Sequence, residues 1–298
     1  MTREGQTFAG RTRLVHYVNF VKLPHTLFAL PFALVGVVIA SEQWPVTWAQ
    51  VAWVAVAFTA ARFAAMGFNR VVDRHLDALN PRTVRREIPA GLIGATEGAT
   101  AVGVASALFL IAAAMLNPLC LLLAPVALAW VFFYSYTKRF TPFAHLVLGL
   151  GLGIAPVGGY LAVAGEWSRP WWVLVLLAAA VMSWVGGFDI LYSLQDIEFD
   201  RAQRLHSIPA RLGESGGIAV ARALHVAAVA ALALAGVGAG AGWLYAAGVG
   251  AVALLLAYEH SLVRVGDLSK LDAAFFTMNG VISLTFFGFV LAERMFVR

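Results

Sequence analysis

Nine stretches of this chain run almost without charge for longer than an ordinary buried helix requires: residues 18–40, 47–68, 96–116, 118–137, 142–164, 170–194, 217–240, 243–263 and 272–294. An apolar run of about 18 residues or more matches the thickness of a bilayer's hydrocarbon core when wound as an α-helix. Between the runs lie short polar connections, and these carry most of the charge. The pattern predicts an all-α polytopic membrane protein, nine transmembrane helices in one bundle.

The connections alternate in charge, and positively charged loops are retained on the cytoplasmic side. Arg3, Arg11 and Arg13 precede the first run; Arg70, Arg74, Arg82, Arg85 and Arg86 follow the second; Lys138 and Arg139 follow the fourth. Arg201, Arg204 and Arg211 follow the sixth, and Arg264 and Lys270 the eighth. The remaining connections hold only Arg169, with Arg294 and Arg298 closing the chain. The N-terminus is therefore expected in the cytoplasm and the C-terminus outside, as an odd number of spans requires. Trp44, Trp48, Trp167, Trp171, Trp172 and Trp243 cluster at the connections expected outside, where interfacial aromatic anchors belong.

Composition agrees. Of 298 residues, 61% are hydrophobic and 12% charged, with a mean hydropathy of +0.80, too apolar for a water-soluble core of ordinary proportions. The net charge of +5 is a topology signal; no Lys/Arg-rich run interleaved with aromatics points to nucleic acid. A single cysteine, Cys120, excludes an internal disulfide and a multi-cysteine metal site. The segment before the first run is too long and polar, and the run too long, for a cleaved signal peptide.

All seven aspartates (73, 77, 189, 196, 200, 267 and 272) fall on the side expected to be cytoplasmic. Aspartate contributes little to membrane orientation, so this one-sidedness suggests a polar reaction chamber. Two stretches repeat an order of features: Asp73 and Asp77 precede Ile88-Pro89-Ala90, and Asp196 and Asp200 precede Ile208-Pro209-Ala210. Duplicated halves commonly bind a ligand between them. The expected organisation is one domain, 1–298, with repeat halves at about 18–137 and 142–263 and a ninth span at about 272–294.

Residues four apart share a helix face, so Asn69-x-x-x-Asp73-x-x-x-Asp77 and Tyr192-x-x-x-Asp196-x-x-x-Asp200 each present a cluster of oxygens. Two such clusters facing each other call for cations, and all-oxygen ligands select hard divalent ions, Mg2+ above all, bridging to substrate phosphates. Arg82, Arg85, Arg86, Arg204 and Arg211 offer donors for remaining diphosphate oxygens or serve as positive-inside charge; Arg86 is the preferred phosphate contact. Tyr134 and Lys138, one turn apart, either reach the same oxygens or form an interfacial tyrosine and a snorkelling lysine. Arg62 is a charge within a span, a functional-site signal by default. It shares a face with Asn69 and Asp73, roughly 10 Å deeper than Asn69 at about 1.5 Å per residue. It either grips a small carboxylate bidentately or forms a structural buried pair. Asp189, seven before Asp196, either orients a substrate or accepts its proton, or bonds a neighbouring helix.

The stretch NRVVDRHLDALNPRTVRREIPAG resembles the first motif of the UbiA-type intramembrane prenyltransferase superfamily, DILYSLQDIEFDRAQRLHSIPARLG its second, and YSYTKRF its Tyr-x-x-x-Lys element. HTLFALPFAL at 25–34 is similar to the 4-hydroxybenzoate polyprenyltransferase-like branch. The resemblance implies Mg2+-dependent transfer of a prenyl group from a polyprenyl diphosphate to an acceptor. Asn69, Asp73, Asp77, Asp196 and Asp200 would hold metal and diphosphate; Arg82, Arg86, Tyr134, Lys138 and Tyr192 would contact substrate. Arg62 and Asp189 would lie on the acceptor side. The chain departs from the family pattern at Arg70, often Asp, and at Arg86-Glu87, often Arg-Pro. The implied acceptor is a small aromatic carboxylic acid, 4-hydroxybenzoate or a dihydroxynaphthoate, in ubiquinone or menaquinone synthesis, with the lipid bilayer as the other partner and no obligate protein partner. The expected place is a bacterial inner membrane. The alternatives are an enzyme of the same kind with another acceptor (haem, chlorophyllide, homogentisate or a glycerol-phosphate lipid), or a transporter or divalent-cation carrier.

Overall fold

The structure, a computed structural model, describes residues 8, 10, 12–271 and 277–297, and the side chains of 23–28 are not among those described. Arg3, Arg11, Arg298, Asp272 and the opening residues of the predicted ninth span lie outside the described residues. The described elements are helical: α1 (Arg13–Phe20), α2 (Leu23–Ala40), α3 (Trp48–Val72), α4 (Arg74–Leu79), α5 (Ala95–Leu116), α6 (Pro118–Thr137), α7 (Ala144–Ala164), α8 (Trp172–Ser193), α9 (Ile197–Ala202), α10 (Ile208–Gly238), α11 (Trp243–Leu262) and α12 (Asn279–Phe296). Eight of them are long and apolar enough to cross a membrane among the described residues. They are α3, α5, α6, α7, the α8–α9 stretch, α10, α11 and α12. In α2 the described apolar part is Ala29–Ala40.

The predicted first span begins too early. Its opening residues belong to α1, and the chain breaks before α2 at Lys22, whose φ of 47° is left-handed. The predicted seventh span begins too late, because Ile208-Pro209-Ala210 already forms the first turn of α10. The Ser207 side chain accepts from Ala210 N–H there, and proline stands where no intrahelical N–H is needed. Gly213, at φ 72°, kinks α10 five residues in, which interrupts the apolar pattern. The first copy of the triplet, Ile88–Ala90, lies instead in a run of turns.

Caps fix where helices start at the opposite end. Thr47 and Gln50 form a reciprocal capping box at α3, Gln50 N–H to Thr47 Oγ1 at 3.2 Å and Thr47 N–H to Gln50 Oε1 at 2.9 Å. Asn117 accepts from Cys120 N–H at 2.9 Å to begin α6. The Glu293 carboxylate, on α12, accepts from Gly242, Leu244 and Tyr245 N–H at 2.6, 3.0 and 3.2 Å and so caps α11. Trp48, Trp171 and Trp243 are exposed at this end, while the acidic motifs lie at the other.

Apolar side chains alone would not hold helices together in lipid; close backbone approach does. A methyl on Gly36 of α2 would overlap the Pro156 carbonyl of α7, and one on Gly159 would overlap the Ala33 carbonyl. Helix α8 packs between α7 and α10, α3 packs on α5, and α12 closes against α11 and α2. The principal core runs through α2, α7, α8, α10, α11 and α12.

Candidate functional site

The first acidic motif begins as α3 ends. Asp73 N–H still donates to Asn69 O at 2.8 Å, and Asp73 is then the residue from which α4 starts, carrying Asp77 into its first turn. Beyond α4 the loop folds on its own polar groups: Arg82 N–H donates to Asn80 Oδ1 at 2.9 Å, and the Thr83 hydroxyl to Asp77 O at 3.0 Å. This turn aims Arg82 at the second motif. There α8 tightens into a 3-10 turn, Leu194–Asp196, before α9 carries Asp200.

The two motifs meet. Arg82 Nε and Nη2 donate to the two oxygens of Asp196 at 3.0 and 2.7 Å, a bidentate, charge-assisted pair with both side chains 8% exposed. Arg82 Nη1 donates to the Tyr192 hydroxyl at 3.1 Å, and Asn80 Nδ2 adds a bond to Asp196 at 3.1 Å. The end of α6 joins them: Arg139 Nη2 donates to Asp73 Oδ1 at 2.7 Å, and His206 N–H donates to Lys138 O at 2.7 Å. Asn69 Nδ2 holds the other oxygen of Asp73 at 2.8 Å, and Arg86 Nη1 holds Asp77 Oδ1 at 2.7 Å. Three segments far apart in sequence thus close one end of the bundle.

Electrostatics follow the geometry. Burial opposes the Lys138 charge, but Asp200, Tyr134, Asp189 and Asp196 outweigh it and lift the ammonium above the ordinary lysine range. Burial raises the Asp73 carboxyl above its usual range against the opposing pull of Arg139 and Lys138, with Asp77 adding to the rise. Burial also works against the Arg86 charge, and Asp77, with Tyr192 and Asp196 farther off, more than restores it.

Next to this cap lies a cavity of about 370 Å³. Lys22, Asn69 and Arg86 line its capped end, with Arg62, Tyr134, Asp189 and Tyr192 in its wall. Toward the tryptophan end the lining is Ala113, Leu116, Cys120, Ala124, Gly158 and similar residues. Polar at one end and apolar along its length, it matches a headgroup followed by a hydrocarbon tail. Of the residues expected from sequence, Arg62, Asn69, Arg86, Tyr134, Asp189 and Tyr192 line this cavity, whereas Asp73, Asp77, Arg82, Lys138, Asp196 and Asp200 form the cap beside it. Asp189 does bond a neighbouring helix: its Oδ2 lies 2.6 Å from His145 Nδ1 of α7.

Four participants were not singled out from sequence. Arg139 was counted only for topology, yet it pairs with Asp73. Asn80 had no signal beyond its place after the first motif. Arg70 is buried, 3% exposed, within electrostatic reach of Arg86, Glu87 and Asp77. Lys22 was legible, being a charge inside a predicted span. Burial, with Arg86, Arg70 and Arg82 nearby, holds its ammonium well below the usual lysine range, partly offset by Glu87.

No group of three or more His, Cys, Asp or Glu among the described residues is gathered tightly enough to hold a metal alone. The carboxylates are instead held by the chain's own guanidinium groups: Arg82 and Arg86, which the sequence offered either to phosphate or to topology, and Arg139, which it counted for topology alone. Asp77 Oδ2 and Asp200 Oδ2, one oxygen from each motif, are nevertheless buried without a hydrogen-bond partner. Two carboxylate oxygens wanting a positive neighbour fit Mg2+, which takes one or two protein carboxylates and completes its shell with phosphate and water.

An acidic and basic cap over an apolar cavity inside a helical membrane bundle suits an amphiphilic anionic substrate, and comparison with known proteins places the chain among the prenyltransferases. The chain belongs to the UbiA prenyltransferase family, whose profile matches residues 29–281. A 4-hydroxybenzoate octaprenyltransferase of Methylobacillus flagellatus is 30% identical over 228 residues, 76% of this chain and 75% of that protein. Among solved structures, an apo UbiA homolog from Aeropyrum pernix K1 superposes with a TM-score of 0.82 at 34% identity, covering 90% of this chain and 98% of that one. A UbiA homolog from Archaeoglobus fulgidus bound to DMAPP and Mg2+ shares the fold, with a TM-score of 0.72 at 18% identity, covering 94% of this chain and 99% of that one. Membership in this family sets the carrier alternative aside.

Proposed function

We propose that the protein transfers a prenyl group from a polyprenyl diphosphate to a small carboxylated aromatic acceptor, 4-hydroxybenzoate or a dihydroxynaphthoate, in quinone synthesis. The cap faces the cytoplasm at a bacterial inner membrane, with nine spans and the N-terminus inside. The observation that carries the acceptor class is Arg62. Its guanidinium lines the cavity about two helical turns below Asn69, its Nε is buried without a partner, and Tyr134 and Asp189 share the same wall. A buried guanidinium nitrogen left unbonded is costly, and a planar carboxylate is the ligand whose geometry matches the fork.

In this reading Lys22, Arg86 and Lys138 draw the diphosphate to the cap. Mg2+ held by Asp77 and Asp200, with Asp73, Asp196 and Asn69 around it, would supply the charge that stabilises departing diphosphate. The allylic C–O bond breaks with its electron pair leaving on the diphosphate, and the resulting cation sits in the apolar wall, away from water. Arg62 holds the acceptor by its carboxylate so that a ring carbon faces that cation. The C–C bond forms from the ring's electrons, and the ring proton then leaves to Asp189 or water. The apolar end of the cavity takes the tail.

Purified protein incubated with Mg2+, a labelled polyprenyl diphosphate and each candidate acid, followed by mass analysis of the lipid extract, tests the reading. Prenylated hydroxybenzoate or dihydroxynaphthoate is the expected product, Asp73→Ala is expected to abolish it, and Arg62→Ala to remove turnover of carboxylated acceptors selectively. Prenylation of acceptors lacking a carboxylate, undiminished by Arg62→Ala, refutes the acceptor class.

A further inference from the structure

We propose that His145 is a positioning residue for the acceptor half of the reaction, fixing the Asp189 carboxylate at one place in the cavity wall. The proposal rests on the reading of this cavity as the acceptor site. His145 is the second residue of α7 and is fully buried, and its Nδ1 lies 2.6 Å from Asp189 Oδ2. Its Nε2 is buried with no partner. A neutral imidazole carries one N–H, and with no acceptor near Nε2 that proton belongs on Nδ1, donated to the carboxylate. A side chain present only to fill the α7–α8 interface would do so more cheaply as an apolar residue, since an unpartnered buried nitrogen is costly.

The backbone sets the distance. His145, Gly149 and Gly153 recur every fourth residue on one face of α7. A methyl on Gly149 would overlap the Met182 carbonyl of α8, and one on Gly153 would press on the Ala178 carbonyl. The two helices therefore run antiparallel in close contact, and the same face one turn toward the cap brings His145 to Asp189. These glycines carry no chemistry of their own; they bring the imidazole within hydrogen-bond reach.

Asp189 makes no other hydrogen bond among the described residues, so His145 alone anchors it. With Oδ2 taken, Oδ1 is the oxygen left for a ligand. An acceptor gripped through its carboxylate by Arg62 presents its ring hydroxyl to that oxygen, and a hydrogen bond there pushes electron density into the ring that must attack. Tyr134 and Lys138 lie within electrostatic reach of the same carboxylate, so rotation of an unanchored Asp189 toward Lys138 would draw it away from the acceptor.

The test compares purified full-length His145→Ala, His145→Asn and His145→Gln with wild type, varying the acid and the polyprenyl diphosphate separately at saturating Mg2+ and recording thermal unfolding in detergent. An asparagine amide N–H stands where Nδ1 does, and a glutamine amide stands where Nε2 does. We expect His145→Ala to lower kcat/KM for the acceptor by about 10²-fold, the scale of a small misplacement of a reacting group, with the KM for diphosphate unchanged. His145→Asn should recover most of that loss and His145→Gln little. Wild-type acceptor kinetics in His145→Ala overturn the proposal, as does an equal loss for both substrates without rescue by Asn. If the alanine variant does not fold, the Asn and Gln variants decide, and equal activity in those two overturns it. A wild type that prenylates no carboxylated phenol is a failure of the acceptor reading, seen before any variant is made; the comparison is then run with the acceptor the wild type does use, and the same split decides.

Discussion

Arg82 joins the two acidic motifs, and replacing it separates a structural contribution from a chemical one. Arg82→Ala removes the two hydrogen bonds donated to Asp196 and the one donated to Tyr192. Asp196, itself 6% exposed, keeps the Asn80 hydrogen bond at 3.1 Å and the more distant Lys138 charge. Breaking a buried pair by removing one partner costs about 3–5 kcal/mol, because the other charge stays buried. Arg82→Lys keeps the charge but cannot span both carboxylate oxygens; it should lose about 1.5–3 kcal/mol, one charge-assisted bond. Arg82→Ala with Asp196→Ala together should be more stable than Arg82→Ala alone, since no stranded carboxylate remains. Arg13→Ala is the comparison: its side chain is 70% exposed and that of its partner Glu97 34%, and its loss should leave unfolding nearly where it is. Unfolding of detergent-solubilised protein in increasing SDS, followed by circular dichroism, measures all four. An Arg82→Ala variant within about 1 kcal/mol of wild type, as for an exposed pair, or a double variant less stable than the single, refutes the claim that the cap is held by a desolvated ion pair.

Asp77→Asn and Asp200→Asn each remove charge beside an unpartnered buried oxygen, and the Mg2+ concentration for half-maximal turnover should rise about 10-fold or more; unchanged Mg2+ titrations exclude these oxygens as ligands. Lys22→Ala should raise the KM for the polyprenyl diphosphate about 10-fold, the worth of one hydrogen bond to a charged group, and leave the acceptor KM alone; steady-state kinetics with each substrate varied checks it. Gly159→Ala forces a methyl onto the Ala33 carbonyl and should destabilise by about 1–3 kcal/mol, whereas Gly158→Ala, which meets nothing within 4 Å, should not. Equal stability of those two in the same SDS titration contradicts the α2–α7 packing.

The membrane fold was legible because lipid enforces length and apolarity on every span, and eight of the predicted runs match helices of the right length and apolarity. The misjudged edges have local causes that hydropathy does not carry. Lys22 ends a helix by adopting a left-handed φ, which favours glycine, and no glycine announces the break. At α10 the first turn is built by Ser207 and Pro209, and the kink at Gly213 cuts the apolar pattern just where the helix has already begun. The two ends of the bundle differ as the tryptophans suggested: Trp48, Trp171 and Trp243 are exposed together, opposite the acidic motifs.

The site was legible where a residue is expensive to place and hidden where its role depends on pairing. Arg62 and Asp189 declared themselves as charges in or beside apolar segments, and both line the cavity. The arginines did not, because the same composition serves topology, phosphate binding and carboxylate pairing, and only coordinates separate Arg139 on Asp73 from Arg86 on Asp77 and Arg82 on Asp196. That division has a consequence for binding. Each guanidinium that now neutralises a carboxylate must share its donors when an anionic headgroup arrives. The net charge meeting that headgroup is therefore lower than a count of arginines suggests. Lys22 sits among Arg86, Arg70 and Arg82, whereas Lys138 sits among Asp200, Tyr134, Asp189 and Asp196. The cap thus offers the diphosphate a graded field, more positive beside Lys22, Arg70 and Arg86 and more negative beside Asp196 and Asp200. On the proposed reading the headgroup would sit on the positive side, leaving Asp77 and Asp200 to hold the divalent ion.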